Sequence, residues 1–240
     1  MDPGPVPRLG LDDTRRVVDT SGMSLRPWPR QIAIFAFLGA TFVGPALPAA
    51  PSCPPQGIGP TARSRALNRL KNRDAAPAAA QIDHAITLEA MVAPGQDKSR
   101  FSSGRGAIAD GYVDTVYVGG IESANCEATS PAGRDTHIEL SLDAQRSRPD
   151  QRVIVEVTPR WRRKVHAQGK DWSTAALAAA LTRHRVRVTG WMMFDYDHAP
   201  ESLNTGKPGK TIWRATAWEI HPVTVIEVLG ASPMAGQSSR

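Results

Sequence analysis

Hydrophobic and polar residues alternate in five segments of the chain, and this alternation predicts five β-strands. The segments are 107–118, 135–142, 152–158, 185–194 and 211–228, and they are rich in β-branched and aromatic residues. Pro159 ends the third segment. Gly111 and Gly190 indicate bends within strands, and Pro222 indicates a break near the middle of the fifth.

The second predicted strand shows the period of two most clearly. Its apolar side chains fall on one face: Ile138, Leu140 and Leu142. Its polar side chains fall on the other: Asp135, His137, Glu139 and Ser141. The third strand likewise sets Glu156 on the face opposite to its valines. We therefore expect one face to form a core and the other to meet solvent or a ligand.

One helix is predicted between the third and fourth strands, with Ser173 or Thr174 as N-cap and an Ala/Leu-rich body ending at Leu181. This order of elements is that of the OB-fold, a small five-stranded Greek-key barrel, so a mainly β fold is predicted. Long irregular segments, 119–134 and 195–210, join strands one and two and strands four and five. In OB-folds these loops flank the ligand-binding face of strands two and three. The predicted ligand contacts are Asn125, His137, Glu139, Glu156, Arg160, Trp161 and Asp197.

Four sequence strings resemble an OB-fold domain of uncharacterised secreted bacterial proteins. They are GGIESANC at 119–126, RDTHIEL at 134–140, VEVTPRW at 155–161 and WEIHPV at 218–223. The resemblance extends over roughly residues 67–229. It implies the same barrel fold and an exported protein, and it implies no activity.

The N-terminal part has the pattern of an export signal. Residues 23–50 combine a short basic region, an uncharged apolar run at 32–43 and a segment of small residues, as secretory signal peptides do. Residues 1–22 are then either a disordered leader or a stretch that precedes the true start of translation at Met23. The apolar run is shorter than the ~20 residues of a membrane-spanning helix. We expect a periplasmic or secreted protein that does not span the membrane after cleavage, with an N-terminal anchor as the alternative.

The remaining domain boundaries follow from composition. Residues 51–104 are predicted to be a linker with short helices, 105–229 the barrel, and 230–240 a disordered tail rich in Gly, Ser and Pro. The chain has two cysteines, Cys53 and Cys126, which an exported protein can pair. The alternatives are lipidation of Cys53, a nucleophilic role for Cys126, and a Cys126 that packs in its loop or stays free. No Cys/His spacing typical of a metal site is present.

The chain is basic, with a formal net charge of +6. Residues 1–53 carry five Lys/Arg and four Asp/Glu, so a mature chain without them keeps +5. The run at 160–164 places Trp161 among four basic residues, which suits phosphate contacts and base stacking. Trp161 and Trp213 are the expected exposed aromatic platforms. Asp195, Asp197 and Glu201 make the strand-four/five loop acidic and would repel a phosphate backbone.

We therefore predict a binding module, with an anionic polymer, an oligosaccharide or an envelope protein as its partner. Export makes chromosomal DNA an unsuitable partner. The first alternative is a metal-dependent hydrolase, such as a phosphodiesterase, which would use His137, Glu139, Glu219 and His221 with His198 as an additional ligand or acid. Against it, we expect strand five to pair with strand one, away from strand two. The second alternative is a purely structural envelope protein. The sequence leaves the identity of any cofactor open.

Overall fold

Five strands close into a barrel in the order β1–β2–β3–β5–β4, with β4 returning to β1. The computed structural model describes residues 53–144, 148–207 and 209–231. The predictions for residues 1–50 and for the tail beyond Ala231 lie outside the described residues. The strands are β1 Gly106–Val118, β2 Thr136–Ser141, β3 Val153–Val157, β4 His184–Phe194 and β5 Trp218–Ala231. The helices are α1 Ala62–Lys71, α2 Leu88–Val92, α3 Pro159–His166 and α4 Thr174–Leu181.

The predicted OB-type barrel is confirmed, but the expected neighbours of the fifth strand were wrong. β5 pairs in parallel with β3 and antiparallel with β4, while β1 pairs with β2 and β4. β5 therefore separates β3 from β4 and does not touch β1 in the sheet. Because β3 pairs with both β2 and β5, only one strand separates β5 from β2.

The fifth strand also begins later than the alternation predicted. Asp97 accepts hydrogen bonds on Oδ2 from the Thr216 hydroxyl and from the amide of Ala217, at 2.8 and 2.9 Å. The backbone amide of Ala217 is therefore not available to a sheet ladder, and pairing starts at Trp218. At the other end β5 runs through Gly230 and Ala231, the first two residues of the predicted tail.

Gly190 is the bend that the sequence predicted in the fourth strand. The register between β4 and β5 shifts on both sides of it. A Cβ atom at Gly190 would lie 2.4 Å from the carbonyl oxygen of Pro222 and 2.6 Å from Ile220 Cγ2. Only a residue without a side chain therefore allows β5 to approach so closely at the point where the barrel curves.

The core lies inside the barrel, where the apolar residues of the alternating strands meet. Ile138 of β2, Val155 of β3 and Ile220 of β5 are fully buried there. Apolar side chains of two helices join the same core: Leu88 and Met91 of α2, and Leu177 and Leu181 of α4. Burying these aliphatic groups stabilises the fold by about 25 cal/mol for each Å² of apolar surface removed from water.

Two helices occupy the β3–β4 connection, where the sequence predicted one. The additional helix, α3, contains the basic run. The side chain of Thr158 accepts a hydrogen bond from the amide of Trp161, and Pro159 stands in the first turn, where its missing N–H costs nothing. The predicted α4 is confirmed with Ser173 as its N-cap.

The described part of the N-terminal segment packs on the barrel. A disulfide joins Cys53 to Cys126 in the β1–β2 loop. The indole of Trp161 donates a hydrogen bond to the carbonyl oxygen of Arg73, and that of Trp191 to the carbonyl oxygen of Ala75. Residues 53–75 are therefore held along one side of the sheet. Among the described helices, none is long and apolar enough to cross a bilayer.

Candidate metal centre

A row of polar side chains crosses the face of the sheet that points away from the core. The β1–β2 register sets Tyr117 opposite His137, and the β2–β3 register sets His137 opposite Glu156. The parallel pairing of β3 with β5 then brings in Glu219 and His221, which flank Ile220, the partner of Val155. The polar positions of strands two and five meet because Glu156 of β3 lies between them.

The side chains of this row are in direct contact. Nε2 of His137 lies 2.8 Å from Oε1 of Glu156. Nδ1 of His221 lies 3.3 Å from Oε2 of Glu156 and also 3.3 Å from Oε2 of Glu219. Nε2 of His221 lies 3.7 Å from Oδ2 of Asp135, the residue before β2. Asp135, Glu156, Glu219, His137 and His221 are called the polar cluster below.

The expectation that this face meets solvent was wrong. Asp135 is 2% exposed, Glu156 1%, and Glu219 and His221 0%. Helix α1 packs against β5 and against the short 3₁₀ turn Ser123–Asn125 of the β1–β2 loop. The N-terminal segment therefore occupies the side of the barrel on which an OB-fold normally holds its ligand.

Several buried atoms of the polar cluster have no hydrogen-bond partner in the described part of the chain. They are Oδ1 and Oδ2 of Asp135, Nδ1 and Nε2 of His137, Oε2 of Glu156, Oε1 of Glu219 and Nε2 of His221. Nδ1 of His221 and Oε2 of Glu219 form a hydrogen bond, and the other close approaches given above are ion-pair contacts. Buried polar atoms nearly always have a hydrogen-bond partner in folded proteins. Several such atoms without a partner, close together at one point, therefore indicate a ligand.

Three of these residues are arranged as metal ligands. Asp135, Glu156 and His221 each offer one ligand atom, and these atoms lie within 4.8 Å of one another. Around a tetrahedral ion with bonds of about 2.1 Å, two ligand atoms stand about 3.4 Å apart. The two contacts of His221 use different ring nitrogens, Nδ1 toward Glu156 at 3.3 Å and Nε2 toward Asp135 at 3.7 Å, and an ion held by the three residues would take only one of these nitrogens. One imidazole with two carboxylates suits Zn²⁺ or Mn²⁺.

The ionisation of the polar cluster reflects burial and close opposite charges. Burial raises the pKa of Asp135 to about 6, although His221 acts in the other direction. Burial disfavours the charged form of His137, but the Glu156 carboxylate raises its pKa to about 9. The pKa of His221 is raised in the same way, against the effect of its burial, by Glu156. A metal ion bound here would displace a proton from His221.

The carboxylates of Glu156 and Glu219 respond differently to the same surroundings. Burial acts to raise both pKa values. For Glu156 the two imidazoles prevail and hold the pKa well below its usual range. For Glu219 burial prevails over the guanidinium of Arg214, and the pKa is raised.

Buried cations border the polar cluster. Nη1 of Arg214 lies 2.8 Å from Oε1 of Glu219 and 3.6 Å from Oδ2 of Asp195. Nζ of Lys71, on α1, lies 2.7 Å from Oε2 of Glu122. Burial disfavours the Lys71 ammonium, but Glu122 outweighs this effect, and the pKa of Lys71 is raised well above its usual value.

The structure brings together three of the four residues predicted for a hydrolase. His137, Glu219 and His221 belong to the polar cluster, as does Glu156 from the predicted ligand-binding set. Glu139 does not, because its Oε2 lies 2.8 Å from Nη1 of Arg152. His198, the predicted additional ligand, contacts Asp195 at 2.7 Å from the β4–β5 loop and is not one of the three ligand residues.

The remaining predicted ligand contacts lie outside the polar cluster. Asn125 is buried beside a cavity of about 370 Å³ that Arg160 also lines. Arg160 is used within the fold, since its guanidinium donates to Oδ1 of Asn72 and to the carbonyl oxygen of Cys53. Asp197 is exposed in the β4–β5 loop. Trp161 is only 9% exposed, so its prediction as a platform was wrong.

Two more sequence predictions have clear outcomes. Trp213 is half-buried, and its indole donates a hydrogen bond to Oε2 of Glu201 at 2.7 Å, so it is not a free platform. Cys126 is paired with Cys53 and is therefore neither a free thiol nor a nucleophile. Of the possibilities given for the two cysteines, the structure contains the disulfide between them.

The candidate sets predicted from the sequence did not include Asp135, Arg214 and Lys71. Asp135 carries a sequence signal, because it shares the alternate positions of His137 on the second strand. Arg214 and Lys71 carry none, since an arginine after a tryptophan and a lysine in a basic helix both look like surface residues.

Fold and site together define an OB-type barrel with a buried carboxylate–imidazole cluster on its outer face. A scan against protein-family models found no match to the chain, and a search among curated proteins found no relative.

Proposed function

We propose that this protein is an exported OB-fold binding module that holds one divalent transition-metal ion, Zn²⁺ or Mn²⁺, through Asp135, Glu156 and His221. The observation that carries the proposal is the set of buried, unpartnered atoms on these three residues, all within reach of one point. Leaving such atoms unmet costs about 1–3 kcal/mol each, and more for charged groups. A cation would satisfy all three side chains at once.

The burial of the ligands favours a structural role for the ion. Catalytic metal sites keep a coordination position open to water and substrate, whereas structural sites are closed by protein. Here the ligand residues are at most 2% exposed behind α1 and the β1–β2 loop. The ion would join β2, β3 and β5 and contribute its binding free energy to folding. Hydrolysis of phosphodiesters is therefore not part of the proposal.

The same burial changes the earlier view of the binding module. An anionic polymer or oligosaccharide cannot lie along the outer face of β2 and β3 while residues 53–75 occupy it. In this proposal the protein remains a binding module, but its ligand or envelope partner is held elsewhere on the barrel.

The metal is tested by elemental analysis of the full chain, purified with its disulfide intact and dialysed without chelator. We expect about one Zn or Mn per chain, and a thermal midpoint that falls on chelation and recovers when the metal is returned. The near-isosteric variants Asp135→Asn and Glu156→Gln should lose the ion. The exposed Glu89→Gln is the matched control and should keep it.

A further pair tests the imidazole ligand. His221→Ala should lose the metal, and His84→Ala, at an exposed position, should keep it. A folded wild-type protein that contains no metal, and whose midpoint does not respond to added Zn²⁺ or Mn²⁺, would overturn the proposal. Metal-dependent cleavage of bis(p-nitrophenyl) phosphate would replace the structural role by a catalytic one.

Export is the second part of the proposal. The signal-like pattern of residues 23–50, the resemblance to secreted bacterial proteins and the Cys53–Cys126 disulfide support it, because disulfides persist in oxidising compartments. Cell fractionation followed by N-terminal sequencing tests it. The expected mature protein begins near residue 51 and is found outside the cytoplasm. An uncleaved, reduced chain in the cytoplasm would contradict it.

A further inference from the structure

A large cavity lies outside the polar cluster, between the β1–β2 loop and helices α3 and α4. Its volume is about 880 Å³, within the range of sites that bind small molecules. Most of its wall is apolar or aromatic, formed by Tyr117 and Val118 of β1, Trp172 before α4, and Ala175 and Ala178 of α4. A wall of this kind favours a ligand with an apolar body.

Basic side chains of α3 border the same cavity. Arg162, Arg163 and His166 line it together. Arg162 is part of the wall, because its guanidinium donates hydrogen bonds to Oγ1 of Thr136 and to the carbonyl oxygen of Ala132. Arg163 and His166 are exposed, and the side chain of Arg163 makes no hydrogen bond or ion pair within the described ranges. Its charge is therefore available to a ligand.

One carboxylate also lines the cavity. Asp171 accepts a hydrogen bond from the amide of Ser173 at 2.7 Å, and it lies within electrostatic reach of His166. It leaves the charge of Arg163 uncompensated, and Arg163 has Arg160 and Arg162 as charged neighbours. The border of the cavity is thus positive on the side formed by α3.

The wall is held in place by contacts that do not depend on a ligand. Oγ1 of Thr174 lies 2.6 Å from Oγ1 of Thr136, which also receives the Arg162 hydrogen bond. The ring of Tyr117 lies 5.2 Å from the ring of His137. A cavity already formed before binding avoids the ordering cost that weakens association.

We propose that this cavity binds an anionic amphiphile: a small molecule with an apolar chain or ring and a single carboxylate or phosphate group. The apolar body lies against Tyr117, Trp172 and the alanines of α4, and the anion lies at Arg163. The charge of the α3 side selects an anion over a neutral or cationic headgroup. None of the residues that line this cavity is a proposed metal ligand, and the proposal does not require the metal.

The proposal is tested with the full chain by titrating 11-(dansylamino)undecanoic acid and following dansyl fluorescence. We expect saturable binding at one site per chain, with displacement by laurate. Ala175→Trp should fill the cavity and abolish binding, whereas Ala179→Trp, on an exposed part of the same helix outside the cavity, should leave it unchanged. Both alanines lie away from the buried core, so neither variant should prevent folding.

The headgroup is tested separately. Arg163→Ala should weaken binding about tenfold, the usual effect of losing one charge-assisted hydrogen bond. Arg187→Ala removes the same charge from β4 and should have no effect. Laurate against dodecyl phosphate distinguishes a carboxylate from a phosphate ligand. Dodecanol binding as tightly as laurate, or binding unaffected by Ala175→Trp, would overturn the proposal, as would a failure of every probe to bind.

Discussion

Nη1 of Arg214 lies 2.8 Å from Oε1 of Glu219, and neither side chain reaches solvent. Nε of Arg214 donates a second contact, a hydrogen bond of 2.8 Å to the carbonyl oxygen of Thr216. The guanidinium is thereby fixed between the β4–β5 loop and the first residues of β5. This one side chain connects the loop with the polar cluster from inside the protein.

Arg214→Ala should therefore be strongly destabilising. Removing one partner of a buried ion pair leaves the other charge unpaired in a medium of low dielectric, and such changes cost about 3–5 kcal/mol. Urea unfolding followed by circular dichroism measures the loss. Arg187→Ala breaks the solvent-exposed pair with Asp110 and should leave the midpoint almost unchanged. Equal midpoints for the two variants would show that the Arg214 contacts contribute little.

Gly190→Ala should destabilise the barrel at the point where β4 bends. The new Cβ would lie 2.4 Å from the Pro222 carbonyl oxygen, and backbone on both sides prevents a simple adjustment. We expect a loss of roughly 3 kcal/mol, at the upper end of the usual cost of overpacking. Gly120→Ala is the matched control, because no atom lies within 4 Å of its added Cβ. Thermal unfolding of both variants measures the difference, and a tolerated Gly190→Ala would mean that β5 can move away.

The disulfide should contribute substantially to stability. It joins residues 73 positions apart. A crosslink over a loop of that length lowers the entropy of the unfolded chain and thereby stabilises the folded state by about 4 kcal/mol at room temperature. The double variant Cys53→Ser and Cys126→Ser should lose about this amount in urea unfolding. A reducing agent should lower the wild-type midpoint and leave that of the double variant unchanged. A wild-type midpoint that does not respond to reduction would show that the bond is absent or without effect.

Much of the barrel could be predicted because the alternation of apolar and polar residues along each strand is visible in the sequence itself. Ile138 and Leu140 alternate with His137 and Glu139, and any strand with this pattern must bury the aliphatic face. The placement of β5 could not be predicted in the same way. Strand order is set by closure of the whole sheet, and no local feature of the fifth segment states that its neighbour is β3 and not β1.

The sequence predicted some residues of the candidate site but not their burial, for a related reason. His137, Glu219 and His221 were found because they stand at alternate positions of predicted strands, but a polar face looks the same whether it meets water or another part of the chain. The cover comes from α1, more than sixty residues before β2. Helix α3 was missed although Thr158 and Pro159 form a recognisable helix start, because the strongly basic sequence after them was interpreted as a surface run.

The contact between Asp195 and His198 predicts a pH dependence of stability. Their closest atoms lie 2.7 Å apart, and the hydrogen bond that His198 donates to the Asp195 carboxylate raises the pKa of His198 above its ordinary value of 6.5. Glu219 acts in the same direction and Arg214 against it. Burial would raise the pKa of Asp195, but the hydrogen bond with His198 prevails and lowers it. The charged pair is therefore favoured in the folded state.

The sign of the effect follows from these two shifts. A raised histidine pKa stabilises the fold fully below pH 6.5, and this stabilisation is lost as the pH rises through the folded-state value. The lowered pKa of Asp195 contributes above its ordinary value of 3.8 and is lost only at lower pH. The difference in unfolding free energy between wild type and His198→Ala should thus be larger at pH 5.5 than at pH 9. Because the imidazole is 40% exposed, we expect the difference to be less than about 1 kcal/mol.

Urea unfolding of both proteins at the two pH values measures this effect, and Asp195→Asn completes a double-mutant cycle that isolates the pair from other groups that titrate. The exposed His84→Ala should show no such difference between the two pH values, because His84 makes no comparable contact with a buried carboxylate in the described chain. A His198→Ala difference that grows from pH 5.5 to pH 9 would contradict the assignment of His198 as the protonated partner of Asp195.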